Sequence, residues 1–239
     1  MEERPVAIVT GASSGIGRET AMMLAEAGYE LALVARRESV LREVGEMIEE
    51  RHGLGATPLL LPLDVSDPSI PEDVVRRTED EFGRIDVLAN IAGNAPLLPI
   101  EQVTPDIWRQ CIDTNLSAVV LMTAAVWPVF KRQKSGTVVN VSSLAAFDPF
   151  PGFAIYAASK VGVNMFTRCT ASEGQRIGVK AFAVAPGAVE TPMLRQAFNE
   201  TMLPREKALA PTAVARVIVD CITGEPPCAP GETFQVPSP

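Results

Sequence analysis

The chain alternates short apolar runs with longer stretches that are apolar on one side only. The runs Val6–Gly11 (VAIVTG), Glu30–Arg37 (ELALVARR), Thr57–Val65 (TPLLLPLDV), Ile85–Gly93 (IDVLANIAG), Gly136–Ser143 (GTVVNVSS) and Val179–Gly187 (VKAFAVAPG) are apolar at both alternating positions. That pattern predicts strands buried on both faces. Between them, Gly17–Gly28, Glu38–Gly53, Pro71–Gly83, Thr104–Lys131, Tyr156–Arg176 and Pro211–Ile222 carry helical spacing, and a last strand is expected near Glu232–Val236. Strands alternating with helices predict an α/β fold, a doubly wound parallel sheet covered on both faces. The rhythm has no linker, low-complexity tract or repeat, so one domain over residues 1–239 is expected. The segment 193–209 breaks it with mixed polar and apolar residues and is a candidate substrate lid.

Composition narrows the function classes. The 239 residues suit one α/β domain, and with aromatics at only 5% the core must be built from Val, Ala, Leu and Ile. A formal net charge of -8 disfavours nucleic acid and anionic membrane as partners, so any anionic ligand needs a local basic site. No apolar run approaches the roughly 20 residues that span a bilayer. The N-terminal MEERPVAIVTG has no signal-peptide pattern, and a cytoplasmic protein is expected. Cys111, Cys169, Cys221 and Cys228 form no CxxC pair and read as small hydrophobes, with no metal site implied. With His52 as the sole histidine, a histidine-based triad or multi-histidine metal site is disfavoured.

The first strand runs directly into Thr10–Gly17 (TGASSGIG), which opens the first helix. Gly11, Gly15 and Gly17 permit a sharp turn and close backbone approach, and a helix start offers N–H groups to phosphate. At the first β/α junction of a parallel sheet this predicts a dinucleotide site. After the second strand, Ala35 stands where NAD sites place an acid, and Arg36 and Arg37 follow. Arginine can pair with a 2′-phosphate that an acid would repel, which argues for NADP(H). Arg36 is the expected phosphate partner; Arg37 reads also as a solvated helix-start residue. Asp64, beside Val65, reads either as an adenine neighbour or as a turn and N-cap residue.

Tyr156 and Lys160 (YAASK) lie one helical turn apart on the same face. A nearby cation favours phenolate, which would fit Tyr for proton transfer near neutrality. The glycine loop, NIAG (Asn90–Gly93), DTN ending in Asn115, VNVSS ending in Ser143, YAASK and PGAVET (Pro186–Thr191) occur in this order. The whole arrangement, over about residues 5–236, resembles the classical short-chain dehydrogenase/reductase family. The resemblance implies about seven strands with helices on both faces, and an oxidoreductase acting on a carbonyl or secondary alcohol. It implies that Tyr156 passes the proton, Ser143 hydrogen-bonds the substrate oxygen, Lys160 binds the nicotinamide ribose and lowers the Tyr156 pKa, and Asn115 supports a water beside Lys160.

The same resemblance has Thr10, Gly11, Ser13, Gly15, Ile16, Gly17, Asn90, Ala92 and Gly93 bordering the cofactor. Pro186, Gly187, Val189 and Thr191 would line its nicotinamide end. It implies a homo-oligomer, a dimer or tetramer. Ile91 and Phe182 replace residues that are Asn in the family, and the C-terminal GETFQVPSP lacks the usual acidic-glycine ending. A non-catalytic NADP-binding sensor is the alternative from another class, against which the intact Ser143, Tyr156, Lys160 and Asn115 set argues. Phe147, Phe150 and Phe153 line either an apolar substrate pocket or a subunit interface.

Overall fold

The computed structural model describes residues 4–52, 57–148 and 150–239. The N-terminal residues 1–3, the expected helix stop at Gly53, and Pro149 lie outside the described residues. The elements run β1 (Val6–Thr10), α1 (Gly15–Glu26), β2 (Glu30–Val34), α2 (Glu38–His52), β3 (Leu59–Leu61), α3 (Ile70–Phe82) and β4 (Val87–Asn90). They continue as α4 (Pro105–Ile112), α5 (Ala118–Gln133), β5 (Gly136–Val141), α6 (Ala154–Gly174), β6 (Val179–Pro186), α7 (Pro192–Ala197), α8 (Pro211–Thr223) and β7 (Thr233–Val236). All strand pairs are parallel, in the order β3-β2-β1-β4-β5-β6-β7.

Alternate residues of each strand feed two separate cores. On one face, Met22, Leu24, Leu41, Ile48 and Ile218 from α1, α2 and α8 pack on Val9, Leu33 and Phe182. On the other, Val74, Met122, Val126 and Phe130 from α3 and α5 pack on Ile8, Leu88 and Val138. This double burial is why the strands lack a polar face. Both unusual residues are absorbed here. Ile91 is buried in the first core, and Phe182 is fully buried within an unbroken β5–β6 ladder.

Two elements depart from the periodicity. β3 is only Leu59–Leu61, because Pro58 and Pro62 on either side have no N–H for the ladder. The long helix expected over Thr104–Lys131 is interrupted by a π-helical turn at Asp113–Ser117, between α4 and α5. Pro105–Gln133 is long enough to cross a membrane and holds an 18-residue window apolar enough to do so, although polar residues break up any continuous apolar run. Here it is a core element, with Met122, Val126 and Phe130 packed on the sheet and Asn115 and Thr123 buried along it.

Parallel strands bring the C-terminal ends Thr10, Asn90, Val141 and Pro186 to one edge of the sheet. The strand order reverses between β1 and β4, which opens a crevice there. The 193–209 excursion rises from this edge and contains most of α7 and a 3₁₀ turn at Arg205–Lys207. Its two ends are stitched together: Leu209 N donates to Ala188 O at 2.8 Å and Glu190 N to Leu209 O at 2.9 Å.

Candidate active site

The glycine loop is a preformed cradle. Gly11 N donates to Val34 O at 2.9 Å and Thr10 Oγ1 accepts from Ile91 N (3.0 Å) and Ala92 N (3.2 Å), which locks the loop to β2 and β4. Gly11 has φ 71°, and a Cβ there would sit 2.9 Å from the Ala92 backbone. A Cβ on Gly17 would collide with the Gly11 carbonyl oxygen, so the helix can lie this close to the loop only with glycine. Ser14 caps α1 in an extended conformation with no side-chain cap hydrogen bond, and the first turn contains no acidic residue. The first N–H groups of the helix are therefore open to an anion. Gly15 faces the Thr191 side chain, so the loop and the end of β6 wall the same crevice. Ile16 is half-buried against the first core. These features fit a dinucleotide's pyrophosphate.

Two arginines follow the end of β2. Arg37, directly before α2, is exposed as a helix-start residue, with its Nη2 3.5 Å from Ser13 Oγ. Arg36 lies 3.8 Å from Asp64 as an exposed pair. Asp64 Oδ1 accepts from Ser66 N (3.0 Å) and Ser66 Oγ (2.8 Å), which makes it a turn residue; Val65 beside it is buried. Asn90 turns inward. Its Nδ2 donates to Asn140 Oδ1 at 2.9 Å, and Asn140 donates on to Thr167. Only the Asn90 backbone is left to border the crevice.

Asn115, Ser143, Tyr156 and Lys160 converge at the sheet edge from three segments: the π-turn, the end of β5 and α6. Ser143 follows β5 and makes hydrogen-bonding contact with the Tyr156 phenol. Tyr156 and Lys160 share one face of α6, with Lys160 Nζ 5.8 Å from the Tyr156 ring centroid. Lys160 is 3% exposed and donates to Val141 O at 2.8 Å. Gly93 closes the floor: a Cβ there would come 3.0 Å from Asn115 Oδ1 and 3.7 Å from Lys160 Nζ.

The electrostatics differ from the expectation of a lowered phenol pKa. Burial raises the Tyr156 phenol, the Ser143 hydrogen bond opposes this, and the Cys111 thiol adds a small upward push. Burial also lowers the Lys160 ammonium from 10.5 to about 8. With Nζ turned to a backbone carbonyl, desolvation outweighs the attraction that would favour phenolate. In this arrangement burial favours the neutral phenol of Tyr156.

The segment after β6 is also shaped by local bonds. Pro186 ends β6, and Gly187 N donates to Val236 O at 2.9 Å. Val189 is buried, and Thr191 Oγ1 donates to Val189 O at 3.1 Å while capping α7 through Leu194 N at 3.2 Å. The C-terminal tail folds back here, with Ala188 N donating to Ser238 Oγ at 3.3 Å.

Several contributors have no signal in the motifs. Asn94 grips the Asn115 amide from both sides: Asn94 N donates to Oδ1 at 2.9 Å and Asn115 Nδ2 donates to Asn94 O at 2.8 Å. The π-turn positions Asn115 for this clamp. Cys111, one turn before Asn115, lies 3.4 Å from its Nδ2. Phe153 packs on Tyr156 and is joined by Phe150 and Phe198, while Phe147 lies elsewhere. It lines a depression of about 1150 Å³ with Val161, Met165 and Thr233, away from the four converging residues.

A family model described as short chain dehydrogenase matches residues 5–201. A short chain dehydrogenase of Pseudocercospora fijiensis is 39% identical over 187 residues, 77% of this chain and 60% of that protein. A 3-oxoacyl-[acyl-carrier-protein] reductase of Synechocystis is 35% identical over 236 residues, covering 97% of this chain and 94% of its own. Among solved structures, an actinorhodin polyketide ketoreductase variant with NADPH superposes with a TM-score of 0.90 at 28% identity, covering 99% of this chain and 97% of that one. With its family-model match and a relative of this identity across almost its entire length, the chain belongs to the short chain dehydrogenase family.

Proposed function

We propose that this oxidoreductase reduces a small, largely apolar ketone, or oxidises the matching secondary alcohol, with NADP(H) as cofactor. The observation that carries the reading is the convergence of Ser143, Tyr156, Lys160 and the clamped Asn115 beside the glycine cradle. The nicotinamide, when bound, supplies hydride to the carbonyl carbon or takes it back. Ser143 Oγ and Tyr156 Oη bind the carbonyl oxygen, and Tyr156 Oη gives it a proton as negative charge develops. Burial keeps that phenol protonated, which suits the reducing direction. Lys160 would reach the nicotinamide ribose by leaving the Val141 carbonyl, and its ammonium would then attend the Tyr156 hydroxyl. The Asn94–Asn115 clamp keeps the neighbouring backbone in place for a water beside Lys160.

Support for NADP(H) over NAD comes from Ala35, which leaves no acid at the ribose, and from the two arginines beside it. The ketoreductase neighbour with NADPH points the same way. The stitched base of segment 193–209 suits a lid. Trp108, Val161 and Met165, all exposed on α4 and α6, suit a homo-oligomer. Four free thiols, Cys111 and Cys221 buried among them, suit a reducing cytoplasm. The test is loss of NADPH absorbance across a panel of ketones. Tight NADPH binding with no turnover of any carbonyl would refute the enzymatic reading.

A further inference from the structure

Three phenylalanines from two separate segments cluster beside Tyr156, with Phe153 alone in ring contact with it. Phe150 and Phe153 precede α6, and Phe198 ends α7 on the 193–209 excursion. Phe153 lies 5.2 Å from the Tyr156 centroid, and Phe198 meets Phe153 edge-on at 5.9 Å and 88°. Phe150 completes the group, 5.8 Å from Phe153 and 5.9 Å from Phe198. In a chain poor in aromatics, none of these rings is in the core. Phe150 is 52% exposed, and Phe153, Tyr156 and Phe198 are half-buried. Rings left open above a proton donor are a surface made to be covered.

The supports of this surface are fixed. Leu98 N donates to Gly152 O at 3.0 Å, which lays Leu97 against the loop that holds Phe150 and Phe153. Arg195 Nη1 donates to Phe198 O (3.4 Å) and Leu203 O (2.7 Å), and its guanidinium pairs with Glu190. Arg195 therefore positions Phe198 while its charge is already matched. Arg205, the other arginine of the excursion, pairs with Glu200 at 2.7 Å.

We infer that Phe150, Phe153 and Phe198 form a cage selecting ketones whose carbonyl belongs to, or sits directly on, a flat ring. The inference rests on the reading of Tyr156 as proton donor. A carbonyl oxygen held by Tyr156 and Ser143 leaves the rest of the molecule against the Phe153 ring and the Phe198 edge. A flat ring gains offset and edge-on contacts there without losing rotamer freedom. A flexible alkyl chain gains only area and must give up its rotors. A charged tail finds both arginines of the excursion already paired.

The experiment compares tetralone with a straight-chain decanone of equal carbon number on the NADPH-loaded protein. Saturation-transfer NMR reads binding and NADPH absorbance reads turnover. The expected result is about tenfold preference for tetralone in both, the scale of one or two aromatic contacts. Phe198→Leu, which keeps bulk without the ring, should bring the ratio to within about twofold while NADPH affinity and melting temperature hold. Phe153→Leu serves if the first variant does not fold. Ring-selective binding that both variants lose, with no turnover, upholds the cage and refutes Tyr156 as the acting proton donor. Equal binding of the two ketones, a preference unchanged in the variants, or stronger binding of a trimethylammonium ketone overturns the cage, whether or not either ketone is reduced.

Discussion

Replacing Lys160 with Met is expected to stabilise the fold while removing the group that would hold the ribose. The lysine is 3% exposed, and burial lowers its pKa from 10.5 to about 8. That displacement amounts to about 3 kcal/mol that the folded state bears wherever the lysine is charged in both states. The sign follows from proton binding. Between pH of about 8 and 10.5 the unfolded chain holds this proton and the folded chain does not, so stability rises with pH through that window. Methionine keeps the length and removes the charge, but it orphans the buried Val141 carbonyl, which accepts from Nζ at 2.8 Å. That loss costs about 1–2 kcal/mol. The variant should therefore be more stable by about 1–2 kcal/mol near pH 7, a rise in Tm of about 2–6 °C for a chain of this size.

The pH signature is the sharper reading. Between about pH 7 and about pH 9.5 the wild type should gain about 2 kcal/mol relative to the variant. Subtracting the two curves matters because burial pushes Cys221 up to about 12 and raises Tyr29, Tyr156 and Cys111. Those groups lose stability as pH climbs past their unfolded values; Tyr29 and Cys221, which do not couple to Lys160, cancel in the difference, whereas Cys111 feels the Lys160 charge and leaves a remainder in it. Denaturant unfolding followed by far-UV circular dichroism across that range supplies the data. Parallel curves for the two proteins would show that burial does not depress Lys160.

Tyr156→Phe removes one hydroxyl and keeps the ring, so NADPH affinity by fluorescence should hold while ketone reduction falls by about 100-fold or more; a smaller loss would remove Tyr156 from the proton step. NADPH should bind about tenfold more tightly than NADH, about 1.4 kcal/mol. Because Arg37 reaches Ser13 while Arg36 leans on Asp64, the double change to Ala should be needed to erase the preference, as titration of the two single variants and the double variant would show. Alcohol oxidation should accelerate with rising pH, since the raised Tyr156 phenol must first lose its proton; a flat profile over the alkaline range would contradict the burial effect. Light scattering at micromolar concentration should give a multiple of the 25.5 kDa chain, given the exposed Trp108, Val161 and Met165.

The parallel sheet was legible because burial on both faces leaves a one-dimensional mark: VAIVT, ELALV and VKAFAVAP have no polar side to present. The glycine loop was equally legible, since a missing Cβ is a property of the residue itself. YAASK was readable because the helical repeat alone aligns Tyr156 with Lys160. Directions and distances were not readable, because they depend on what packs from elsewhere in the chain. The amphipathic pattern of Thr104–Lys131 carries no sign of the π-turn, which is tied to Asn94, 21 positions before Asn115. That the Asn90 amide bonds to Asn140 on the neighbouring strand has no mark in the sequence. Nor does the sequence show that Arg37, though exposed, comes within 3.5 Å of Ser13 Oγ, 24 positions earlier. The pKa of Tyr156 was the furthest from reach. The sequence supplies the nearby cation, but only the packed structure determines how much water the phenol loses, and that loss is the larger effect.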